Sequence, residues 1–231
     1  MSRIDPQAFD AVISDIQQHL RFLQAIGCRR IEDNEKIRAI VRNWQAEADA
    51  APAADAAQGA AACRRCRLAD ERRAMVYGAG PESARLMFVG GFPAAEDEQA
   101  GQPFSGEAGA LLTRIIEAMA FSRESVYITH VVKCRPSGDR APDRFETRAC
   151  RKHIDRQIEA AGPEVIIALG EFAARALLGT ETSIDRLRGQ FYEYGDVAVM
   201  PTHEPAYLLA NASAKRAVWE DMKLVMQRVR I

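Results

Sequence analysis

The chain has 231 residues, 48% of them hydrophobic and 27% charged, a composition typical of a folded globular protein rather than a disordered one. Its 31 basic and 32 acidic residues give a net charge of -1, so the molecule as a whole has no electrostatic bias toward nucleic acid. The sequence has no apolar run long enough to predict a membrane span. Asp5 and Pro6 stand where a secretory signal peptide would have apolar residues. We therefore expect a cytoplasmic protein with no membrane partner.

Residues 1–47 predict an N-terminal helical extension. Apolar residues recur at spacings of three and four between Phe9 and Ile26, and a shorter helix is expected between Ile37 and Trp44. Residues 48–62 are rich in alanine and lack large apolar side chains, so they cannot build a core. We interpret them as a linker.

From residue 63 onward, short apolar runs alternate with helical patterns. This alternation predicts an α/β domain whose parallel sheet is covered by helices on both faces. Gly90 and Gly91 follow the first run and Gly170 follows the third, which places permissive turns at the carboxyl ends of strands, where such sheets bind ligands. The predicted strands are residues 86–89, 126–129, 165–169 and 197–200, and the predicted helices are residues 106–120, 143–161, 171–178 and 214–229.

Four of the five cysteines have the spacing of a metal or cluster site. Cys63 and Cys66 form a C-x-x-C turn, 67 residues separate this pair from Cys134, and 15 more separate Cys134 from Cys150. Four thiolates in this pattern suit zinc or an iron–sulfur cluster, and the spacing does not distinguish them. The alternatives are unlinked buried cysteines or a redox-active pair. Cys28 lies outside the predicted domain.

Two segments depart from the balanced charge of the chain. Between Lys133 and Arg156, eight basic residues accompany four acidic ones, and between Arg64 and Arg73 five arginines accompany two acidic residues. Such runs occur in nucleic-acid surfaces and, more often, on solvated helix faces.

Seven sequence blocks occur in a recognisable order and spacing. They are Cys63-Arg-Arg-Cys66, Val89-Gly-Gly-Phe-Pro-Ala-Ala-Glu-Asp97, Gly101-Gln-Pro-Phe104, Val126-Tyr-Ile-Thr, Val132-Lys-Cys-Arg-Pro136, Cys150 and Pro205-Ala-Tyr-Leu-Leu209. Together they resemble the iron–sulfur, or family 4, uracil-DNA glycosylases across about residues 63–231. The resemblance implies a three-layer α/β/α fold with a short, mainly parallel sheet, a 4Fe-4S cluster on the four spaced cysteines, and uracil-bearing DNA as the partner. We expect a monomer that binds damaged single- or double-stranded DNA.

The resemblance also implies roles for individual residues. A base must leave the stacked duplex before its glycosidic bond can be attacked, so the site needs a stacking ring and a polar edge. Phe104 matches the family's stacking ring, and Gly90, Gly91, Phe92 and His130 fall in its base pocket. The segment with Pro205, Tyr207, Leu208 and Leu209 matches the DNA-probing loop, in which Leu208 or Leu209 would wedge into the stack.

Three polar positions depart from the family pattern. Gly91 stands where the family has a water-placing Glu, and His130 stands where an Asn reads the uracil edge. Glu204 replaces a His that stabilises charge on the base, and His203 lies one position too early to substitute for it. The acids left as catalytic candidates are Glu96, Asp97 and Glu204.

The leading hypothesis is an enzyme, a base-excision repair glycosylase that hydrolyses the N-glycosidic bond of a flipped deaminated base, uracil or a related one. The altered polar positions predict a changed base preference or a reduced rate, because a lost donor or general base costs about a hundred-fold or more. The alternative is a catalytically impaired relative that binds DNA or senses lesions. A third hypothesis is a structural metal domain without DNA binding.

Overall fold

A computed structural model describes residues 62–230, except for the side chain of Asp139. The predicted N-terminal extension, Cys28 and residues 48–61 of the predicted linker lie outside the described residues. Within the described part, no helix is both long enough and apolar enough to cross a membrane.

A five-stranded sheet lies at the centre of the described domain. In sequence order its strands are β1 (Leu86–Gly90), β2 (Tyr127–His130), β3 (Val165–Leu169), β4 (Tyr192–Tyr194) and β5 (Val197–Thr202). In space the order is β2-β1-β3-β5-β4. The first four strands of this spatial order run parallel, and β4 pairs antiparallel with β5 at the edge.

Helices cover both faces of this sheet. Strands β1 and β3 are buried along their whole length, which explains why their sequences are continuously apolar rather than alternating. The helices are α1 (Leu68–Glu71), α2 (Ala95–Ala100), α3 (Gly106–Ala118), α4 (Arg144–Ala161), α5 (Gly170–Leu178), α6 (Ile184–Leu187), α7 (Pro205–Ala210) and α8 (Lys215–Arg228). One core packs α4, α5 and α6 against the sheet, and the other packs α3, α7 and α8 against the opposite face.

The predicted fold class is confirmed as a three-layer α/β/α arrangement with a mainly parallel sheet. The four predicted strands and four predicted helices are present, with ends shifted by at most two residues. The sequence analysis missed the antiparallel strand β4, since three half-exposed residues are too few to show a period. It also missed the short helices α1, α2, α6 and α7, of four to six residues each.

A buried carboxylate fixes the start of α4. Asp143 caps the helix, and its Oδ1 accepts hydrogen bonds from the backbone N–H groups of Phe145 and Glu146. Glu146 accepts the N–H of Asp143 in return, and it also accepts from Arg140 at 2.7 Å through both guanidinium nitrogens and from Arg67 at 2.7 Å. The hydrogen bonds from Arg140, together with those from Arg67, lower the pKa of Glu146 to about 2. One carboxylate thereby joins the segment after Cys66 to the segment that carries Cys150.

Glu146→Gln is expected to lower the free energy of unfolding by about 2 kcal/mol at pH 7, since the amide cannot accept this set of charge-assisted hydrogen bonds. Exposure of Arg67 to solvent screens part of the effect. Because the carboxyl pKa is depressed in the folded state, its contribution is complete above the ordinary value of 4.5 and is lost as the pH falls toward about 2. In urea unfolding, the difference in free energy of unfolding between parent and variant should therefore be smaller at pH 3.5 than at pH 7. Glu159→Gln, an exposed change on the same helix, is the matched control, and an equal gap at both pH values would contradict the assignment.

Candidate active site

The predicted site residues gather at the carboxyl edge of the parallel strands. His130 ends β2, Gly90 ends β1, Gly170 follows β3, and Glu204 follows β5. The spatial order of these strands places the four positions in sequence along one edge. Adjacent strands lie about 4.8 Å apart, so the edge from His130 to Glu204 spans roughly 14 Å, enough for a nucleoside.

His130 is anchored by a buried acid. Its Nε2 lies 3.0 Å from Oδ2 of Asp97, and both side chains are almost wholly buried. The Asp97 carboxylate also accepts the backbone N–H of Ser105 at 2.6 Å and of Ala94 at 3.1 Å. Burial alone would raise the pKa of Asp97, but the hydrogen bonds from His130 and from these two amides bring it below its ordinary value. Asp97 is thus an ionised acceptor on every side.

This arrangement assigns the tautomer of His130. Since Asp97 only accepts, Nε2 of His130 must carry the proton and donate. Burial lowers the pKa of His130 below its ordinary value in spite of the neighbouring carboxylate, so the ring is neutral and Nδ1 is an unprotonated acceptor. Nδ1 is buried and has no hydrogen-bond partner in the described part of the chain. An unpaired buried acceptor costs about 1–3 kcal/mol, which makes this atom a candidate ligand contact.

Phe104 covers the same atom. Its ring stacks on the His130 ring with centroids 4.7 Å apart and planes inclined by 27°. A Cβ added at Gly90 would lie 2.5 Å from Cζ of Phe104 and 2.6 Å from Nδ1 of His130, so only glycine leaves room for both rings. The structure therefore brings together three predicted base-binding residues, Gly90, Phe104 and His130.

The turn that presents Phe104 is tightly held. Phe104 has a φ of 52°, a left-handed conformation that is unfavourable for a large side chain. Arg123 compensates by donating to the carbonyl oxygens of Pro103 at 2.7 Å and of Phe104 at 3.1 Å. A Cβ at Gly109 would lie 1.7 Å from the Phe104 carbonyl oxygen, so α3 packs directly against this turn. No pattern in the sequence indicated the role of Arg123.

Two other predicted pocket residues pack against α5. A Cβ at Gly91 would lie 3.1 Å from the Phe172 ring, and Phe92 meets the same ring edge to face with centroids 5.5 Å apart. Glu96 is exposed on α2, and its side chain lies beside Gly106 rather than against His130. Glu96 and His130 are therefore not brought together.

Glu204 lies at the far end of the edge. Its carboxylate faces Gly170, where an added Cβ would be 3.1 Å from Oε2, and it makes no hydrogen bond or ion pair with any described residue. Burial of the carboxyl raises the pKa of Glu204 above the ordinary value of 4.5. Glu204 thus combines an unpaired carboxylate with a raised pKa.

The segment after Glu204 separates buried from exposed side chains. Leu208 is 1% exposed and belongs to the core, whereas Tyr207 and Leu209 are each more than 40% exposed. Pro205 is buried at the first turn of α7. His203 stacks on Tyr207 and points its Nε2 toward Asp185, at 3.4 Å. His203 therefore does not take the place of the family histidine, and of the two predicted wedge residues only Leu209 has its side chain at the surface.

The four spaced cysteines are free thiols, and two of the sulfurs accept hydrogen bonds. Arg72 donates to Cys134 at 3.4 Å and the Lys133 backbone N–H donates to Cys150 at 3.3 Å. His153 Nε2 lies 3.4 Å from the sulfur of Cys63. Burial raises the pKa of Cys66, Cys134 and Cys150, the last to about 11, and in each case other thiols of the set raise it further. Within residues 62–230, no three His, Cys, Asp or Glu side chains are close enough together to hold a single metal ion.

Lys133 links these thiols to the edge of the sheet. It is completely buried, and its Nζ donates to Thr129 at 2.7 Å, to Gln157 at 2.5 Å and to the carbonyl oxygen of His130. Burial lowers the pKa of Lys133 to about 7. The sequence analysis counted Lys133 only as part of a basic run and missed this buried role.

Comparison with known proteins places the chain in a family. Residues 77–223 match the family model described as the Uracil DNA glycosylase superfamily. The chain belongs to this superfamily. Three relatives, each named a Type-4 uracil-DNA glycosylase, come from Saccharolobus solfataricus (39% identical; 71% of this chain and 81% of the relative), Thermotoga maritima (41%; 70% and 86%) and Archaeoglobus fulgidus (37%; 71% and 86%). The predicted family and the predicted class of function, a DNA glycosylase, are confirmed.

Three residues of the candidate site, Gly91, His130 and Glu204, differ from the residues that the family pattern has at these positions. Gly91 offers no carboxylate, His130 offers one acceptor where a primary amide would offer both a donor and an acceptor, and Glu204 brings a negative charge to the end of β5. The polar groups of this site therefore differ chemically from those of the family pattern.

The tautomer of His130 can be measured directly. In protein labelled with ¹⁵N-histidine, we expect a protonated Nε2 and an unprotonated Nδ1 at pH 8, because burial lowers the pKa of His130. The resonances are assigned by their loss in His130→Gln. Asp97→Asn should allow both tautomers, whereas Glu96→Gln, a neighbouring change without a contact to the ring, should leave the spectrum unaltered. A protonated Nδ1 in the parent protein would refute the assignment.

Proposed function

We propose that the chain hydrolyses the N-glycosidic bond of a deaminated base flipped out of DNA, with His130 reading the base edge. The observation that carries this proposal is the buried, unpaired Nδ1 of His130 beneath the Phe104 ring. A base that stacks on Phe104 and gives a hydrogen bond to Nδ1 satisfies the unpaired atom and obtains both of the contacts that a flipped base requires.

A hydrogen-bond acceptor at Nδ1 of His130 favours deaminated bases, because deamination creates an N–H donor on the ring of the base. Deamination of cytosine to uracil converts ring atom N3 from an acceptor to an N–H donor, and deamination of adenine to hypoxanthine does the same at N1. Nδ1 accepts from either N–H, whereas cytosine and adenine would face it with a lone pair. Such a mismatch is strongly rejected because both buried groups stay unpaired. Thymine and guanine also carry the N–H, so their exclusion depends on the walls of the pocket.

Entry of the base requires movement of Phe104. In the free protein the Phe104 ring stacks on the imidazole, the two rings fill the space beside Gly90, and Nδ1 is buried. The turn that carries Phe104 must therefore move before a base can reach Nδ1. Closure of the ring on the base would then restore the stacking contact and remove the cost of the unpaired acceptor.

Glu204 is the acid proposed to act on water. Asp97 has its oxygens engaged by His130 and two backbone amides, and Glu96 lies on the exposed side of α2. Glu204 is unpaired, and as a carboxylate it would accept a proton from the attacking water and stabilise positive charge on the sugar as the glycosidic bond breaks. Neither Nδ1 nor this carboxylate donates a proton to the departing base, so we expect a slow enzyme.

DNA would contact the exposed part of α7. Tyr207 and Leu209 project from this helix, which starts directly after Glu204. Leu209 is the side chain placed to enter the stack that the flipped nucleotide leaves.

Base release provides the test. Oligonucleotides that carry uracil or hypoxanthine should yield alkali-labile sites with the purified protein, and an undamaged strand should not. Glu204→Gln should lower the single-turnover rate by about a hundred- to ten-thousand-fold. Because burial raises the pKa of Glu204, the parent rate should fall with decreasing pH through a value above 4.5, and this fall should be absent in the variant.

Glu96→Gln is the matched control for this experiment, because it makes the same chemical change at an exposed position of the same edge. Equal rates for Glu204→Gln and the parent would contradict the assigned role of Glu204. Absence of base release from every substrate, with DNA affinity retained, would instead favour the lesion-sensing alternative.

We further propose that Cys63, Cys66, Cys134 and Cys150 hold a 4Fe-4S cluster. A single zinc ion would need its ligands gathered tightly, whereas a cluster of this kind is larger and holds its thiolates farther apart. The N–H groups aimed at the sulfurs are the contacts that stabilise such clusters. When bound, the cluster would tie α1, the segment after β2 and α4 together.

Purified protein should contain about four irons and four sulfides per chain and show a broad visible absorbance. Cys150→Ser should lose most of the iron and unfold at a lower temperature, whereas Cys28→Ser, outside the proposed set, should retain both properties. Stoichiometric zinc without sulfide would contradict the proposal. The N-terminal extension, the monomeric state and the cytoplasmic location stay predictions.

A further inference from the structure

A groove between α4 and α5 is unused by the proposed chemistry. It has a volume of about 770 Å³, within the range of ligand-binding sites. Its apolar lining includes the buried residues Val131, Ile154 and Leu177 and the partly exposed Phe172, and arginines from α4 line it as well. The groove thus offers an aromatic ring beside a cationic wall.

The cationic wall follows from the spacing of the α4 arginines. Arg144, Arg148 and Arg151 are four and three residues apart, so they share one face of the helix. Arg144 and Arg148 form no ion pair with any residue of the described part, and Arg151 lies 3.9 Å from Asp155. These arginines make up much of the basic run noted in the sequence.

The opposite wall carries one arginine and two glutamates, a net charge of -1. Arg175 of α5 forms ion pairs with Glu171 at 2.8 Å and with Glu181 at 3.8 Å. The positive potential of the groove is therefore concentrated on the α4 side. Phe145, next to Arg144 on the same helix, is 75% exposed and presents an aromatic ring to solvent beside this wall.

The groove lies next to the candidate base site. Val131 lines it and directly follows His130 at the end of β2. Phe172 lines it as well and packs against Gly91 and Phe92, two residues of the predicted base pocket. Residues of the two sites therefore adjoin each other after the same two strands, β1 and β2.

We propose that this groove binds a single-stranded segment of DNA that flanks the flipped nucleotide, with its phosphates on Arg144, Arg148 and Arg151 and a base against the partly exposed ring of Phe172. The inference rests on the proposed function for the identity of the nucleic acid. A single strand offers both phosphates and unstacked bases, whereas the bases of a duplex are stacked inside it. Proteins bind single-stranded nucleic acids with a positively charged groove for the backbone and aromatic side chains on which the bases stack.

The test is binding of undamaged dT12 to the full-length protein, measured by fluorescence anisotropy across a range of salt concentrations. Arg144→Ala/Arg148→Ala should weaken binding by on the order of tenfold at low salt. It should also reduce the slope of log affinity against log salt by about 1.4, since each phosphate contact on a single strand contributes about 0.7. Arg114→Ala, an exposed change on α3 in the opposite layer, should alter neither quantity. Circular dichroism and the melting temperature verify that each variant is folded.

Three outcomes would overturn the proposal: an unchanged salt slope in the double variant, an equal loss in Arg114→Ala, or a loss confined to a duplex of the same length. Because dT12 carries no deaminated base, the measurement does not depend on glycosylase activity. A protein that releases no base but shows the expected slope change would refute the proposed function and support the groove. Base release together with an unchanged salt dependence in the double variant would support the proposed function and refute the groove.

Discussion

The candidate site depends on one buried carboxylate. Asp97 accepts hydrogen bonds from the start of α2, from the turn after Phe104 and from the His130 ring at the end of β2. One group therefore joins the start of α2, the turn after Phe104 and the end of β2, and an ionised carboxylate that accepts these three hydrogen bonds has no proton to donate. Its position in the helical first turn also places it near the partial positive charge of α2, which favours the ionised form.

This anchoring explains why the change from an amide to an imidazole alters chemistry and not only size. A primary amide presents a donor and an acceptor side by side, whereas a neutral imidazole bonded through Nε2 presents one lone pair. The larger ring also needs space, which Gly90 provides by lacking a side chain and which Phe104 then fills. An acceptor without an adjacent donor can recognise a base, but it contributes nothing to stabilising negative charge on the base as it leaves.

Much of this architecture could be predicted from the sequence, and the exceptions have physical causes. The continuous apolar runs of β1 and β3 identified buried parallel strands, and the glycines after them marked the ligand edge. The tertiary contacts of Asp97 could not be predicted, because its partners His130 and Ser105 are brought to it only by folding. The orientation of His203 toward Asp185 likewise depends on α6, a helix too short to show a period. Leu208 and Leu209 look equivalent in sequence, and only the packing of α7 separates the core residue from the exposed one.

The base site and the spaced cysteines are built on the same stretch of chain, residues 130–134. His130 ends β2, the Lys133 ammonium donates to the His130 carbonyl oxygen, and the Lys133 backbone donates to Cys150. The ammonium is fully buried, so it depends on Thr129, Gln157 and this carbonyl for all of its hydrogen bonds. Lys133 directly precedes Cys134, so a displacement of the cysteine segment would also move the amino group that contacts the His130 carbonyl oxygen. The candidate base site and the spaced cysteines are therefore joined by the short-range contacts of one side chain.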